Sequence, residues 1–75
     1  MVRVIVSSNT NRKTEIVNES KTIREVLDDA QINYAATTVH LDGSPLRPGD
    51  IDKSFNDFGI SESCYLTAIV KADNA

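Results

Sequence analysis

The chain has little of what stabilises secreted or metal-binding proteins. Its 75 residues include a single cysteine, Cys64, and a single histidine, His40. It therefore cannot form an intramolecular disulfide, and these two side chains alone cannot build a metal site. The lack of a disulfide framework favours a reducing compartment, so we expect a cytoplasmic protein.

Long apolar runs are also missing. The apolar residues between Met1 and Ser7 alternate with others and form a run far too short for a signal peptide or a membrane span. Apolar residues nevertheless recur along the whole chain, and 40% of the residues are hydrophobic, which argues against low-complexity disorder. We expect one small soluble domain that does not bind a membrane.

An excess of basic residues is absent as well. The formal net charge is −3, which argues against affinity for nucleic acid. Residues 1–24 carry five basic residues against two acidic, whereas residues 25–62 carry eight acidic against two basic. This asymmetry is compatible with a surface for a partner and with an ordinary mixed solvated surface.

The start of the chain has the pattern of a β-hairpin. Val2, Val4 and Val6 recur with a period of two, which predicts a strand over residues 2–7 with Ile5 on the opposite face. The polar residues 8–12 predict a turn. A second strand is predicted at about residues 13–18, which completes the hairpin.

A helix is predicted over residues 22–31. Thr22 and Glu25 have the spacing of a capping box, in which each side chain accepts a hydrogen bond from the backbone N–H of the other residue. Asn33 is the expected stop, because asparagine is second to glycine at the end of a helix. One apolar stripe is formed by Ile23, Val26, Leu27 and Ala30.

The second half of the chain predicts the rest of a sheet. A third strand is expected at residues 37–41, followed by a turn at Asp42 and Gly43 and a very short strand near Leu46. Residues 51–60 are expected to form a short helical turn whose apolar side chains pack into the core. The last strand is predicted at residues 64–71.

The predicted order of elements is β-β-α-β-β-β. The fold class is therefore α+β, with a mixed sheet of four to five strands and one helix packed across one face. We expect a domain over residues 1–71 and a short polar tail at residues 72–75.

This pattern resembles the ubiquitin-like β-grasp family over residues 1–71. The resemblance implies the fold of that family. Four features carry it: the helix start at Thr22 and Ile23 with Val26, the stretch 39–46 with its turn and Gly49 after it, the segment 55–60, and the alternating Leu66 and Ala68 of the last strand.

Two departures from the family qualify the function that the resemblance implies. Its conjugating and sulfur-carrier members end in Gly-Gly, whereas the glycines here are Gly43, Gly49 and Gly59. A sulfur-carrier or protein-modifier role is therefore the disfavoured alternative, and we expect no adenylation at Ala75. Ubiquitin binds partners through an apolar patch on the open sheet face, and the matching positions here are His40, which is polar, and Ile69.

No catalytic constellation is predicted, so we expect no enzyme, no catalytic residue, no metal and no cofactor. Asp28 and Asp29 are adjacent on a helix and point in different directions. His40 has no identifiable nucleophile, and Cys64 is expected to be a small packing residue. Residues 50–57 alternate like a calcium loop but lack the glycine and glutamate that such a loop requires.

A sheet with one helix leaves one face open. Two readings remain for that face: a patch for a protein partner, or a scatter of singly exposed apolar residues. We hypothesise a monomeric, non-enzymatic module that binds an unidentified protein non-covalently, with the acidic stretch 42–57 as the next candidate surface. The residues expected to face the helix are Val2, Val4, Val6, Leu66, Ala68 and Val70. Those expected to face outward and bind a partner are Ile5, His40, Tyr65, Thr67 and Ile69.

Overall fold

A computed structural model of the chain describes residues 1–8 and 11–70. The predicted tail at residues 72–75, the end of the predicted last strand and two residues of the first predicted turn lie outside this part. No helix in the described residues is long and apolar enough to cross a membrane. The strands and helix are β1 Val2–Ser7, β2 Arg12–Val17, α1 Ile23–Asp29, β3 Thr37–Leu41, β4 Ser44–Pro45 and β5 Ser63–Val70.

The strands form one mixed sheet in the order β2-β1-β5-β3-β4. The strand β1 is antiparallel to β2 and parallel to β5, and β3 is antiparallel to both β5 and β4. The first and last strands therefore lie side by side within the sheet. This arrangement confirms the predicted α+β class with one helix on a mixed sheet of five strands.

The helix begins as predicted. The Glu25 backbone N–H donates to the Thr22 hydroxyl at 3.2 Å, and the Thr22 backbone N–H donates to a Glu25 carboxylate oxygen at 3.0 Å. These two bonds satisfy donors that the first turn of a helix leaves unpaired. The backbone and side-chain hydrogen bonds from Thr22 also hold the pKa of Glu25 below its usual value.

The helix ends earlier than predicted, at Asp29, so the stop expected at Asn33 is wrong. Gln31 has a φ of 59°, in the left-handed region. Its N–H donates to the Asp28 carbonyl at 3.0 Å, and the N–H of Ile32 donates to the Leu27 carbonyl at 2.9 Å. These bonds form a Schellman motif. The motif forms at Gln31 because Ile32 then packs against the core.

The hairpin of β3 and β4 turns at the predicted pair. Asp42 and Gly43 have φ values of 51° and 86°, and two positive φ angles are what a type I′ turn requires. The strand β4 ends one residue before Leu46, which was expected within it. Leu46 itself is linked to β3 by one backbone hydrogen bond, in which its N–H donates to the Val39 carbonyl at 2.8 Å.

Residues 48–58 form two short 3-10 turns, Pro48–Asp52 and Asn56–Phe58, where a single helical turn over residues 51–60 was expected. Phe55, between these turns, is fully buried. The N–H groups of Phe55 and Asn56 donate to the carbonyls of Lys21 and Glu19, so the segment is tied to the start of α1. The buried hydrophobic residues are Val2, Val4, Val6, Val17, Ile23, Val26, Leu27, Val39, Leu41, Ile51, Phe55, Cys64, Leu66 and Ala68.

Val70 departs from the predicted core. It alternates with the buried Leu66 and Ala68 and so lies on the helix side of the sheet, yet 54% of it is exposed. It borders an open cleft of about 620 Å³ that is also lined by Ala30 and Ile32, just past the end of α1. Because α1 stops at Asp29, no further turn of helix covers this end of β5.

Removing the hydroxyl that caps α1 tests the contribution of the capping box. We expect Thr22→Ala to lower the free energy of unfolding by about 1 kcal/mol, because the backbone N–H of Glu25 in the first helical turn loses its acceptor. Chemical denaturation measures the change. Thr22→Ser keeps the hydroxyl and serves as the matched control, with a loss of only a few tenths of a kcal/mol. Equal losses in the two variants would contradict the capping role.

The left-handed residue at the end of α1 offers a stabilising change. We expect Gln31→Gly to raise the free energy of unfolding by about 0.5–1 kcal/mol, because the relief of left-handed strain exceeds the added entropy of the unfolded chain. The denaturation midpoint should rise with an unchanged slope. The control Gln31→Ala keeps the strain and should bring no gain. A glycine variant no more stable than the alanine variant would refute this account.

Candidate protein-binding face

The face of the sheet that points away from α1 is uncovered in the described structure. Alternation along each strand decides which side chains lie there, because the neighbours of every buried strand residue point the other way. We call this surface the outer face. Its strand residues are Arg3, Ile5, Ser7, Arg12, Thr14, Ile16, Thr38, His40, Pro45, Ser63, Tyr65, Thr67 and Ile69.

The five residues predicted to bind a partner share the outer face. In the sheet register Ile5 lies opposite Tyr65, and His40 lies opposite Thr67. Tyr65, Thr67 and Ile69 thus form a row along β5, with Ile5 on one side and His40 on the other. Thr67 is at the centre of this group. Binding by these residues stays a prediction.

Four apolar or aromatic side chains of the sheet are strongly exposed to solvent. On the outer face Ile16 is 57% exposed, Tyr65 53% and Ile69 48%, while Val70 is on the opposite side. Ile5 is half-buried beside Tyr65. Ile16 was not among the predicted site residues, although its neighbour Val17 is buried opposite Val2 and so directs Ile16 outward.

The charges on the outer face have one sign. Arg3 and Arg12 are its charged strand residues, and none of its described strand residues is an aspartate or glutamate. Neither arginine forms an ion pair with another described residue. The strands of this chain, whose net charge is −3, therefore present only basic charges on the outer face, and the nearest carboxylate shown is that of Asp42, which accepts from the Tyr65 N–H at 2.8 Å.

His40 is half-buried between its cross-strand neighbours Thr67 and Pro45. Its Nδ1 is inaccessible and has no hydrogen-bond partner in the described structure. No carboxylate or thiol lies opposite it, so the ring lacks both a group that would orient it and a nucleophile that it could activate. In the described structure the ring therefore lacks the neighbours that acid–base catalysis uses.

Cys64 packs in the core on the other side of the sheet. Burial raises the pKa of its thiol to about 11, and the nearby Asp42 carboxylate adds to the shift. A thiol with such a pKa is almost fully protonated near neutral pH and is a poor nucleophile. The structure thus agrees with the expected packing role.

The acidic stretch 42–57 uses its carboxylates in local bonds. Asp50 accepts from the Arg47 backbone N–H at 3.0 Å, and Asp57 accepts from the Ser54 N–H at 3.0 Å. Asp52 pairs with Arg24 at 2.6 Å. The hydrogen bond from Arg24 lowers the pKa of Asp52, and the bond from the Arg47 N–H lowers that of Asp50. Across the described residues, no group of three or more histidine, cysteine, aspartate or glutamate residues could hold a metal ion.

Solved structures with the same architecture include a ubiquitin-like domain of an Arabidopsis thaliana protein, determined by NMR. It has a TM-score of 0.71 and 20% sequence identity, and the match covers 99% of this chain and 81% of that one. A second determination of the same Arabidopsis protein, from evolutionary couplings and sparse NMR data, gives a TM-score of 0.69 at 21% identity, over 97% and 89% of the two chains. The chain has the ubiquitin-like β-grasp fold.

A third solved structure is less similar in shape but matches over nearly the whole length of both chains. A ubiquitin-like protein from the hyperthermophilic archaeon Caldiarchaeum subterraneum matches with a TM-score of 0.53 and 10% identity, over 97% of each chain. No protein-family model matches the sequence, and no curated protein does. The ubiquitin-like fold predicted from the sequence is confirmed, and the role of the outer face does not follow from these likenesses.

The buried thiol can be tested directly. We expect Cys64 to react with a soluble thiol reagent on the order of a hundred-fold more slowly than an exposed cysteine at about pH 8, because its pKa is raised and its sulfur is covered. Reaction with Ellman's reagent measures the rate. The matched control moves the thiol to the neighbouring exposed position, as Ser63→Cys with Cys64→Ala. Similar rates in the folded proteins would show that Cys64 is accessible.

Proposed function

We propose that this chain is a non-enzymatic ubiquitin-like interaction module that binds a protein partner non-covalently through its outer face. The observation that carries the proposal is the row formed by the exposed Tyr65 and Ile69 with the half-buried Thr67 between them, on an uncovered sheet face with Ile5 and His40 beside it. We further propose that the module acts as a monomer in the cytoplasm and binds neither nucleic acid nor membranes, which its net charge and single cysteine favour.

The composition of the outer face indicates the kind of partner. Tyrosine and isoleucine provide contact area that loses little entropy on binding, and tyrosine is enriched at the centre of protein interfaces. Arg3 and Arg12 flank this area, and the outward-facing residues of their strands include no aspartate or glutamate. Complementary charge speeds association and excludes wrong partners, so the proposed partner has an apolar surface bordered by carboxylates.

The chemistry of the remaining side chains supports a binding role over catalysis. The thiol of Cys64 is buried and protonated. Asp50 and Asp57 accept backbone hydrogen bonds in turns, and Asp52 pairs with Arg24. His40, the one histidine, has no carboxylate or thiol partner in the described structure.

Replacing two outer-face isoleucines tests the proposal. We expect the double variant Ile5→Ser with Ile69→Ser to bind a partner isolated with the natural chain about tenfold more weakly or worse, because buried apolar contact area is lost. Calorimetry with the purified partner measures the affinity, and NMR first shows that the variant is folded.

The matched control is Val70→Ser, which removes an exposed β-branched residue from the opposite face of the same strand. Its affinity should equal that of the natural chain. Charge reversal at Arg3 and Arg12 should slow association most strongly at low salt. Unchanged affinity in the double isoleucine variant would rule out the outer face as the binding surface.

A further inference from the structure

The strand β2 forms one edge of the sheet and pairs with a neighbour on one side only. The Ser8 N–H donates to the Asn11 carbonyl at 2.8 Å, and bonded pairs recur from there at every second residue of the hairpin. The residues of β2 whose backbone groups point toward β1 are therefore Lys13, Glu15 and Val17. Those whose backbone groups point away from the sheet are Arg12, Thr14 and Ile16. We call the N–H and C=O groups of these last three residues the β2 edge.

The β2 edge is open along the whole strand. In the described structure no backbone hydrogen bond from another segment reaches the N–H or C=O of Arg12, Thr14 or Ile16. Unpaired strand groups of this kind are a template for another strand. Since three outward residues follow one another at the spacing of a ladder, a joining strand can pair with all of them.

The side chains of β2 on the helix side of the sheet carry opposite charges. Val17 is buried on that side, so Lys13 and Glu15 lie there too. Neither of them forms an ion pair with another described residue, and Lys21, whose charge acts on Glu15 from a distance, is bonded to Asp29. One carboxylate oxygen of Glu15 is inaccessible and has no hydrogen-bond partner in the described structure. The single chain thus leaves a cation and an anion of this edge strand without an ion-pair partner.

We propose that the β2 edge binds the β2 edge of a second copy of this chain, in antiparallel pairing about a two-fold axis at Thr14. Thr14 then lies opposite Thr14 of the second copy, and Arg12 lies opposite Ile16, so that both backbone groups of each residue are bonded. Between these bonded pairs, Lys13 of each copy lies opposite Glu15 of the other. This is the closer type of cross-strand pair, in which opposite charges stabilise a sheet.

The order of charges along β2 selects this register and this occupant. Moving the axis by one residue places it at Lys13 or at Glu15, and that side chain then faces its own copy. Like charges directly opposite each other weaken a strand pair, and a lysine at a sheet edge usually prevents pairing for that reason. With the axis at Thr14 the lysine has a glutamate opposite it instead. The strand β2 is therefore its own complement, which favours a second copy over an unrelated strand.

The pairing leaves the outer face of each copy available. A two-fold axis perpendicular to the sheet keeps both outer faces on the same side. The interface is small, with one short ladder and two ion pairs at the surface, so the chain remains the monomer of the proposed function at micromolar concentration. Pairs form where copies are concentrated to about the millimolar range, as on a partner that holds two of them.

Self-association of the chain alone tests the proposal. This measurement needs no other protein, so its outcome is independent of whether the outer face binds a partner. Sedimentation equilibrium and amide NMR spectra are recorded in a dilution series that starts at about 2 mM. We expect the average mass to rise toward that of a pair with concentration, and the concentration-dependent amide shifts to cluster at Arg12, Thr14 and Ile16.

Exchanging the charges of β2 tests the register. Lys13→Glu and Glu15→Lys should each weaken self-association at least tenfold, because like charges then meet across the axis. A mixture of these two variants should pair again, since every contact across the axis then joins a lysine to a glutamate. The double variant, Lys13→Glu with Glu15→Lys, should also pair. The control Arg47→Glu makes the same change of charge beyond β4, at the opposite edge of the sheet, and should alter self-association less than twofold.

Removing one backbone donor tests the role of the edge. Thr14→Pro should abolish the pairing, because it removes the N–H at the two-fold axis. The fold should persist, since this N–H points away from β1 and an edge strand accepts proline at such a position. The control Thr14→Val keeps the N–H and should pair like the natural chain.

Several outcomes would overturn the proposal. These are a chain that stays monomeric up to about 2 mM, a mixture of the two charge variants that pairs no better than either alone, and a folded Thr14→Pro variant that pairs like the natural chain. An equal loss in Arg47→Glu and Lys13→Glu would reduce the effect to overall charge. Concentration-dependent shifts at Tyr65 and Ile69 without any in β2 would place the contact between copies on the outer face.

Discussion

One short helix has to cover a sheet much wider than itself. The seven residues of α1 span about 10 Å, whereas five neighbouring strands span roughly 20 Å. The connecting segments make up part of the difference, because Ile51, Phe55 and Ile60 pack on the same core. One cleft past the end of α1, another between α1 and the turn Pro48–Asp52, and the outer face stay open in the described structure. Every surface to which we assign binding is one that this shortage of covering structure leaves exposed.

The net charge of the chain is a poor guide to its individual surfaces. Much of the acidic charge is used in local bonds. Glu25 caps α1. In the connecting segments Asp50 and Asp57 cap turns, and Asp52 pairs with Arg24. The strands carry basic and uncharged side chains on their open side. A negative chain can therefore attract acidic partners, because a partner responds to the charges within about a Debye length of the contact.

Features with a local cause could be predicted from the sequence. The capping box of Thr22, the turn at Asp42 and the alternation that brings the five site residues to one face depend on neighbours in the chain. The rest depends on distant packing. The left-handed backbone of Gln31 accompanies the packing of the partly buried Ile32 against the core. The parallel pairing of β1 with β5 puts Thr67 at the centre of the outer face, and no short-range pattern reveals that pairing.

The pairing of the first strand with the last also dictates when the domain can form. Val4 and Val6 lie beside Cys64 and Leu66, so the interior of the sheet joins segments about sixty residues apart along the chain. Such long-range contacts come late, because the chain between them must be ordered first. During synthesis the apolar side of the β1–β2 hairpin therefore stays exposed to water until β5 has been translated. The domain thus completes its fold as a unit after translation of residues 63–70, and not strand by strand as it is made.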